Sequence, residues 1–336
     1  MKRREFLFQA ALGSLGASAG ILSMFPLERQ IIRLDPYENP FRRGQKPLLL
    51  ILRGKKPENL LAEAIRFMMG NAKRPLPYRT LYIKPNATAN EPYPVTSDAA
   101  LLQRMIEIFN MTGVRRVIVG DNPSYRGMMV RRIFSERGYF VLGRMPGVQV
   151  LPANPASAYS YRKVRNPRWL AQRAIMVNRD LLNADLVVNT AIPKRHHESG
   201  FTCALKNNFG AVYDPVRTQA HIRMGYGKAE GLRFFDRTIV ECADAARPQL
   251  TIIDARSLLV KSGPGLYAGG EIKDGVNEIV ISGDMLAVDA YCGQLMQKND
   301  PTFDPTRRLA FQLAYGRELG LGEPDLSRVE VLEWQV

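Results

Sequence analysis

Cysteine is scarce in this sequence, and the cysteines present are far apart. Cys203, Cys242 and Cys292 are the only three, and no C-x-x-C pair occurs among them. Zinc and iron-sulfur sites that can be recognised in a sequence use closely spaced cysteines, so the chain has no such motif. With three thiols, at most one disulfide can form. Internal repeats and low-complexity tracts are also lacking.

Acidic residues are fewer than basic ones. The 336 residues include 47 lysines and arginines against 32 aspartates and glutamates, which gives a net charge of +15. This excess favours an anionic partner or surface, although charge alone does not identify it. A content of 46% hydrophobic and 24% charged residues excludes a disordered or collagen-like chain. The length fits one large domain or two small ones.

The amino terminus has the pattern of an export signal. Lys2–Leu7 contains an arginine pair followed by Phe-Leu, Phe6–Gly16 is apolar, and Ala17–Ala19 offers small residues for cleavage. This pattern resembles the twin-arginine signal peptides, whose passengers fold before transport, often because they acquire a cofactor in the cytoplasm. It implies the twin-arginine translocase as a partner and a periplasmic or other extracytoplasmic location. The general secretory route is the alternative.

Residues 1–27 are therefore predicted to be a signal peptide or an anchor on the outer face of the inner membrane. The anchor stays open because Phe6–Phe25 is about as long as a membrane span, roughly 20 residues. Residues 28–46 are rich in Pro, Arg, Asp and Asn and are predicted to be a linker. The folded domain is predicted to cover residues 47–336.

Short apolar runs alternate with helical patterns in this domain, which predicts an α/β fold with a mostly parallel sheet and helices on both faces. An irregular basic excursion, residues 146–169, interrupts the alternation. The predicted strands are Leu48–Leu52, Thr80–Ile83, Arg116–Val119, Leu186–Asn189, Leu250–Ile253 and Glu278–Ile281. The predicted helices are Pro57–Met69, one capped by Thr96 or Ser97 that ends near Met111, Met285–Met296 capped by Asp284, and Pro305–Leu319.

Polar side chains follow several of these strands. In parallel sheets, ligands bind beyond the carboxyl ends of the strands, where Lys84, Asn86, Asp121 and Asp254 are expected to lie. The loop Ser262–Gly265, with Gly263 and Gly265, can expose backbone N–H groups to an anion, although Gly-Pro loops are more often plain turns.

All three histidines fall in one segment, between positions 196 and 221. His196, His197 and His221 could bind a metal ion or move protons, since imidazole does both near neutral pH. The spacing matches no known ligand motif, and two adjacent histidines cannot point the same way in a regular element. Lys194 and Lys206 could instead hold an anionic ligand or cofactor group.

The stretch Tyr159–Trp169 interleaves cations with aromatic side chains. Single-stranded nucleic acid is bound by such pairings, but a nucleic acid partner is not expected for an exported protein. A lipid headgroup surface or an anionic envelope polymer fits that location better. An ordinary solvated loop is the simpler alternative.

Several short motifs resemble a known family, the domain of unknown function 362, whose reaction is not established. They run in order from about Leu48 to Val331. Some similar proteins append a ferredoxin-like iron-sulfur module, which suggests redox work, but this chain lacks those cysteines. The matching residues are Lys84-Pro85-Asn86; Pro193-Lys194 with His196; Thr202, Ala204, Leu205, Lys206, Asn207, Phe209 and Gly210; Asp254; Gly263-Pro264; Asp284, Ala287 and Asp289; and Gly320-Leu321-Gly322.

Together these patterns predict an exported enzyme that depends on a metal ion or an organic cofactor and acts on an anionic substrate. An oxidoreductase is one possible class of such an enzyme. The alternative is a non-catalytic envelope protein that binds an anionic ligand or a membrane surface. The candidate catalytic residues are His196, Lys194, Lys206, Asn207 and Asp254; the candidate cofactor-binding residues are Lys84, Asn86, Asp121, Gly263 and Gly265; and the candidate metal ligands are His196, His197 and His221.

Overall fold

The computed structural model describes residues 31–73, 78–122, 130–152, 158–225 and 228–336. The predicted signal segment, residues 1–27, lies outside the described residues. Residues Arg33–Val336 form one compact unit. Among the described residues, no helix is both long enough and apolar enough to cross a membrane.

The short apolar runs of the sequence form strands of the main sheet, and many of the further strands are short and polar. They are β1 (Ile32–Arg33), β2 (Arg42–Arg43), β3 (Lys46–Arg53), β4 (Thr80–Lys84), β5 (Arg116–Val119), β6 (Val148–Val150), β7 (Tyr161–Arg165), β8 (Ile175–Asn178), β9 (Leu186–Ala191), β10 (Lys194–His196), β11 (Gly200–Thr202), β12 (Leu250–Ala255), β13 (Leu258–Val260), β14 (Glu271–Lys273), β15 (Glu278–Ser282) and β16 (Glu330–Gln335).

The helices follow the amphipathic segments. They are α1 (Leu61–Gly70), α2 (Ala99–Met111), α3 (Val130–Glu136), α4 (Tyr139–Leu142), α5 (Arg179–Leu182), α6 (Ala204–Asn207), α7 (Asp214–Met224), α8 (Ala229–Ala246), α9 (Met285–Asn299) and α10 (Arg308–Leu319).

The main sheet has the strand order β16-β3-β15-β12-β9-β4-β5-β6, with β2 pairing to β3. Its strands pair in parallel except where β15 runs antiparallel between β3 and β12 and where β2 pairs antiparallel with the start of β3. The prediction of a mostly parallel α/β sheet is therefore confirmed. In this order β9, β4 and β5 are neighbours, so their carboxyl ends meet at one edge of the sheet.

Helices cover both faces of this sheet. Alternate side chains of β3, such as Leu48, Leu50 and Leu52, join one hydrophobic core with α1, α2, α3 and α4. On the opposite face, α6 contacts β9 and α9 contacts β15. Because both faces are covered, the central strands are apolar on both sides, which explains why their sequences are unbroken hydrophobic runs.

A second sheet carries the histidine segment. Its order is β11-β10-β13-β14. Strand β10 pairs antiparallel with β11, with Lys194 opposite Thr202 and His196 opposite Gly200, and it pairs in parallel with β13 through Leu259. This hairpin places Lys194 and His196 next to the carboxyl edge of the main sheet.

Three local predictions need correction: a helix cap, the linker and the surface excursion. The cap of α2 is Asp98, which accepts from the backbone N of Ala100, and not Thr96 or Ser97. The described part of the predicted linker within the compact unit is packed, since Phe41 is fully buried and the hydroxyl of Tyr37 donates to the carbonyls of Pro248 and Gly283. The sequence did not indicate this packing, because Tyr37 and Phe41 are surrounded by polar residues.

The predicted surface excursion, residues 146–169, is more regular than expected. Strand β6 is the edge strand of the main sheet, and β7 pairs antiparallel with β8. Trp169 is buried, with its indole N–H donating to Asp244 at 2.7 Å. Residues 153–157 of the excursion lie outside the described residues. The sequence did not indicate these two strands, because β6 has only three residues and β7 contains three cations among its five residues.

Candidate functional site

A cavity of about 580 Å³ opens at the carboxyl ends of β4 and β5, beneath the β10–β11 hairpin. This volume is within the range of small-molecule sites in proteins. Its walls are formed by Lys84, Asn86, Thr88, Ala89, Asn90, Glu91, Asp121, Asn122, Ile133, His196, His197, Glu198, Thr202, Lys206, Asn207, Phe209, Gly210, Arg217, His221, Pro264 and Tyr267.

Lys84 and Asp121 form a buried ion pair in the wall of the cavity. They end adjacent parallel strands, and the Lys84 Nζ lies 2.7 Å from the Asp121 Oδ1, with side chains 1% and 3% exposed. Burial lowers the pKa of Lys84, while the carboxylate of Asp121 opposes that shift. Gly210 closes the back of the pair, since a Cβ there would lie 1.8 Å from the Asp121 oxygen. The pair is a fixed element of the wall.

A network of amides extends from this pair to Lys194. The Asn207 Oδ1 accepts from Lys84 Nζ at 3.3 Å and from Asn86 Nδ2 at 2.8 Å. Lys194 Nζ donates to Asn86 Oδ1 at 2.5 Å, to the carbonyl of Val95 at 2.7 Å and to Thr88 at 3.3 Å. Burial, followed by the charge of Lys206, lowers the pKa of Lys194 to about 7. Lys194 therefore supports the wall from behind and does not line the cavity.

Helix α6 presents Lys206 to the cavity. The carboxylate of Asp289 accepts from the backbone N of Ala204 at 2.6 Å and of Leu205 at 3.1 Å, which fixes the start of this single turn. Asp289 thus caps α6, a contact between distant segments that local spacing does not reveal. Asp284 caps α9, as predicted, by accepting from Leu286 and Ala287.

The ammonium of Lys206 has no hydrogen bond and no ion pair with any described residue, although the side chain is only 9% exposed. Its Nζ lies 4.5 Å from the centre of the Phe209 ring and 5.2 Å from that of Phe235. Burial, opposed by Glu198 and assisted by Arg217, lowers the pKa of Lys206 to about 8. A buried cation without an acceptor is costly, and this one faces the cavity.

The hydrogen bonds of His196 define its tautomer. The Nδ1 atom accepts from the backbone N of Glu198 at 3.1 Å and of Ser199 at 3.3 Å. Burial, followed by the charge of Lys206, holds the pKa of His196 well below 6.5. The neutral ring must therefore carry its proton on Nε2. His196 is a neutral hydrogen-bond donor in the wall of the cavity.

The other two histidines are held differently. The His197 Nδ1 lies 2.5 Å from the carbonyl oxygen of Gly263, and the His221 Nδ1 lies 2.7 Å from that of Arg217. The His221 Nε2 faces the Glu198 carboxylate at 3.4 Å, and this hydrogen bond lowers the pKa of Glu198. Within the described ranges, no group of three or more His, Cys, Asp or Glu residues is arranged to hold a metal ion. The three histidines share the cavity but do not converge as ligands.

Three other candidates lie outside the cavity wall. Asp254 is buried, accepts from the hydroxyl of Tyr93 at 2.9 Å and pairs with Arg256 at 2.8 Å. Gly263 accommodates a close approach of the Arg195 carbonyl, which would lie 1.9 Å from a Cβ at this position. Gly265 is in a loop whose next two backbone N–H groups, in residues 266 and 267, donate to the carboxylate of Glu91. The protein's own carboxylate thus takes the place predicted for an anion.

The cavity also contains groups that the sequence did not single out. Arg217 is 3% exposed and donates to the carbonyl of Asn122 at 2.5 Å and to Asp214. Among the described residues, the buried Oδ1 of Asn122 and Oγ1 of Thr202 have no hydrogen-bond partner. Arg217 was one of many arginines and carried no distinguishing signal, while Asn122 could have been found as the neighbour of Asp121.

The fold and the cavity thus define an α/β protein with a polar site at the carboxyl ends of parallel strands. The family described as "Domain of unknown function (DUF362)" matches residues 81–294, so the chain belongs to this family. The resemblance drawn from the motifs is confirmed.

A thylakoid-associated protein of Synechocystis is similar to this chain. The two are 27% identical over 158 residues, a match that covers 43% of this chain and 46% of the relative. The match therefore spans less than half the length of that relative. Among solved structures, the lactate racemase apoprotein from Thermoanaerobacterium thermosaccharolyticum has a TM-score of 0.48 at 13% identity, over 75% of this chain and 57% of that one.

Proposed function

We propose that this protein is an enzyme that binds a small anionic molecule in the cavity beneath the β10–β11 hairpin. The observation that carries the proposal is the ammonium of Lys206, which faces the cavity and has no acceptor in the part of the chain that the structure describes. Two arginines, Arg217 and Arg308, have charges that help to lower the pKa of Lys206. Each has a carboxylate partner, Asp214 for Arg217 and Asp236 for Arg308. Lys206 is the cation of this group that a ligand can neutralise.

Physical cost supports this assignment. A buried ammonium is stable only where an acceptor or a charge compensates for lost water. The phenyl rings of Phe209 and Phe235 compensate in part, through cation–π contacts of roughly 0.5–2 kcal/mol. A carboxylate or phosphate oxygen beside Nζ would supply the missing charge-assisted hydrogen bond.

The remaining groups can carry out acid–base chemistry on the bound molecule. His196 offers an N–H on Nε2. His197 donates from Nδ1 to the carbonyl oxygen of Gly263, so its neutral ring has a lone pair on Nε2. A proton donor and a proton acceptor in one cavity suit proton transfer at a substrate atom. The cavity also has room for an organic cofactor, and metal analysis with an absorption spectrum of natively produced protein tests for one.

Binding can be tested with phosphate and with propanoate as probes, by calorimetry. We expect Lys206→Met, which keeps the length of the side chain and removes the charge, to weaken binding at least tenfold. Lys273→Met, which changes a lysine on the exposed strand β14, is the matched control. Equal binding by the Lys206→Met and wild-type proteins would contradict the proposal.

Turnover can be tested by incubating the purified protein with a metabolite extract and following small anions by mass spectrometry. We expect at least one anion to be consumed by the wild-type protein and by Lys273→Met, and to persist with Lys206→Met and with His196→Phe. Binding of probes without any turnover would leave a binding protein and would contradict the assignment as an enzyme.

We further propose export through the twin-arginine translocase to an extracytoplasmic location, supported by Lys2–Leu7. Changing Arg3 and Arg4 to lysine should retain the protein in the cytoplasm, whereas Lys2→Arg should not. Cell fractionation measures both. Normal export of the double lysine variant would contradict this route.

A second candidate function, binding to an anionic envelope surface, is favoured by the cations of β7. Lys163 and Arg165 are exposed on this strand, beside the half-buried Arg162. Vesicle flotation with phosphatidylglycerol tests it: the glutamine variants of Lys163 and Arg165 should detach at physiological salt, because such attraction is largely electrostatic. Unchanged flotation would exclude this surface.

A further inference from the structure

We infer that Lys206 acts as a nucleophile, and that the anionic substrate carries a carbonyl group with which its Nζ forms an imine. This inference rests on the proposed function and specifies its substrate class. It starts from geometry: the Lys206 residue is only 9% exposed, its side chain lines the cavity, and its Nζ is not tied to any acceptor among the described residues. An amine that is already hydrogen-bonded or ion-paired cannot approach a carbonyl carbon without breaking those contacts.

The comparison with the other two lysines of the site is informative. Lys84 is paired with Asp121 at 2.7 Å, and Lys194 has three acceptors within 3.3 Å and is fully buried. Both are structural parts of the wall. Lys206 is held at its backbone, through Asp289 and α6, while its amine is left available. Such a fixed stem with a free end is what a nucleophile needs.

The charge state is compatible with this role. The nucleophile is the neutral amine, and burial lowers the pKa of Lys206 to about 8. At pH 7.5, about a quarter of the molecules would then hold a neutral amine, against roughly one in a thousand for a lysine with the ordinary pKa near 10.4. Desolvation beside other cations is a known route to reactive lysines.

The reaction balances without an oxidant or a further reactant. Nζ adds to the carbonyl carbon, the carbonyl oxygen takes up one proton, and a carbinolamine results. Loss of that oxygen as water, with the second amine proton, leaves the neutral imine. The Nε2–H of His196 can donate to the carbonyl oxygen as it becomes negative, and Glu198 can accept the proton that the ammonium first releases.

Reductive trapping tests the inference on the full chain. Pyruvate and glyoxylate serve as probes, borohydride reduces any imine, and peptide mapping by mass spectrometry finds the modified lysine. At pH 7.5, we expect modification of Lys206 to be at least fiftyfold faster than that of exposed Lys273. The rate at Lys206 should rise with pH to a plateau above about pH 8, and propanoate should slow it.

Two variants complete the design. Lys206→Arg keeps the positive charge and should lose the adduct, whereas Lys273→Arg should keep it. If Lys206→Arg does not fold, the pH profile and the protection by propanoate in the wild-type protein still decide the question. An adduct confined to exposed lysines, or located on Lys194, would overturn the inference.

The outcome is separable from that of the proposed function. If propanoate binds in a manner that depends on Lys206 but neither probe gives an adduct there, the imine is excluded and anion binding stands. If the Lys206→Met protein binds propanoate as the wild type does, the proposed function fails by itself.

Discussion

Replacing Asp121 with asparagine should destabilise the protein, because it breaks the buried ion pair with Lys84. The change removes a carboxylate that lies 2.7 Å from Lys84 Nζ and also accepts from the backbone N of Ala87 at 3.0 Å. The ammonium of Lys84, which is 1% exposed, then has only neutral acceptors, among them the Pro85 carbonyl at 3.1 Å and an Asn207 oxygen at 3.3 Å. Breaking one partner of a buried pair typically costs about 3–5 kcal/mol.

The assay is urea unfolding at neutral pH, with Glu107→Gln as the control. Glu107 pairs with Arg104 at 3.6 Å on the exposed side of α2, with side chains 41% and 47% exposed. Removing such a surface pair is expected to cost about 0–1 kcal/mol. A loss for Asp121→Asn no larger than that for Glu107→Gln would refute the claim that the buried pair stabilises the wall.

The pH dependence gives a second readout. Because burial lowers the pKa of Lys84 in the folded state, the unfolded chain binds more protons between the two pKa values, so stability rises with pH across that window. Asp121 opposes the shift, and its removal lowers the folded pKa of Lys84 further. The deficit of Asp121→Asn should therefore shrink as the pH is raised above neutrality toward the ordinary pKa of lysine. A deficit that grows over this range would contradict the sign of the argument.

Three further substitutions probe the supports of the fold and the site, each by urea unfolding. Gly210→Ala should cost about 1–3 kcal/mol, because its Cβ would lie 1.8 Å from the Asp121 oxygen, whereas Gly70→Ala, with nothing within 4 Å, should be neutral or stabilising; equal effects would contradict this. Glu241→Gln should cost about 1–3 kcal/mol and speed proteolysis of residues 170–172, whose backbone N–H groups donate to that carboxylate, and unchanged stability would argue against this anchor. In the wild-type protein, stability should fall as the pH rises from about 4 to 6, because burial raises the pKa of Asp289 to about 6 and its ionisation therefore opposes folding. Asp289→Asn should remove this fall, and a fall as steep as in the wild type would contradict the argument.

The strands of the main sheet were predictable because burial on both faces leaves a plain signature. Leu48–Leu52 and Leu250–Ile253 are unbroken apolar runs, and they lie within β3 and β12. Other strands gave no such signature. The edge strand β6 has only three residues, and β7, which lies outside the main sheet, contains the exposed cations Lys163 and Arg165.

The candidate site was predictable in its members more than in their roles. Strand ends pointed to Lys84, Asn86 and Asp121, which line one cavity with His196 and Lys206. The pairing of Asp254 with Arg256 was not visible, although the two are close in sequence, because spacing does not tell a ligand-facing carboxylate from a paired one.

By itself, the sequence determined the strand and helix alternation, the family and the positive charge, because these depend on local periodicity and composition. Only the tertiary structure decided which lysine has a partner. Lys84 and Lys194 obtain acceptors from segments far away in the chain. Lys206 contacts two phenyl rings and has no acceptor among the residues described. The availability of a charge is a property of its three-dimensional surroundings, since the energy of a buried ammonium depends on the atoms within a few ångströms of it.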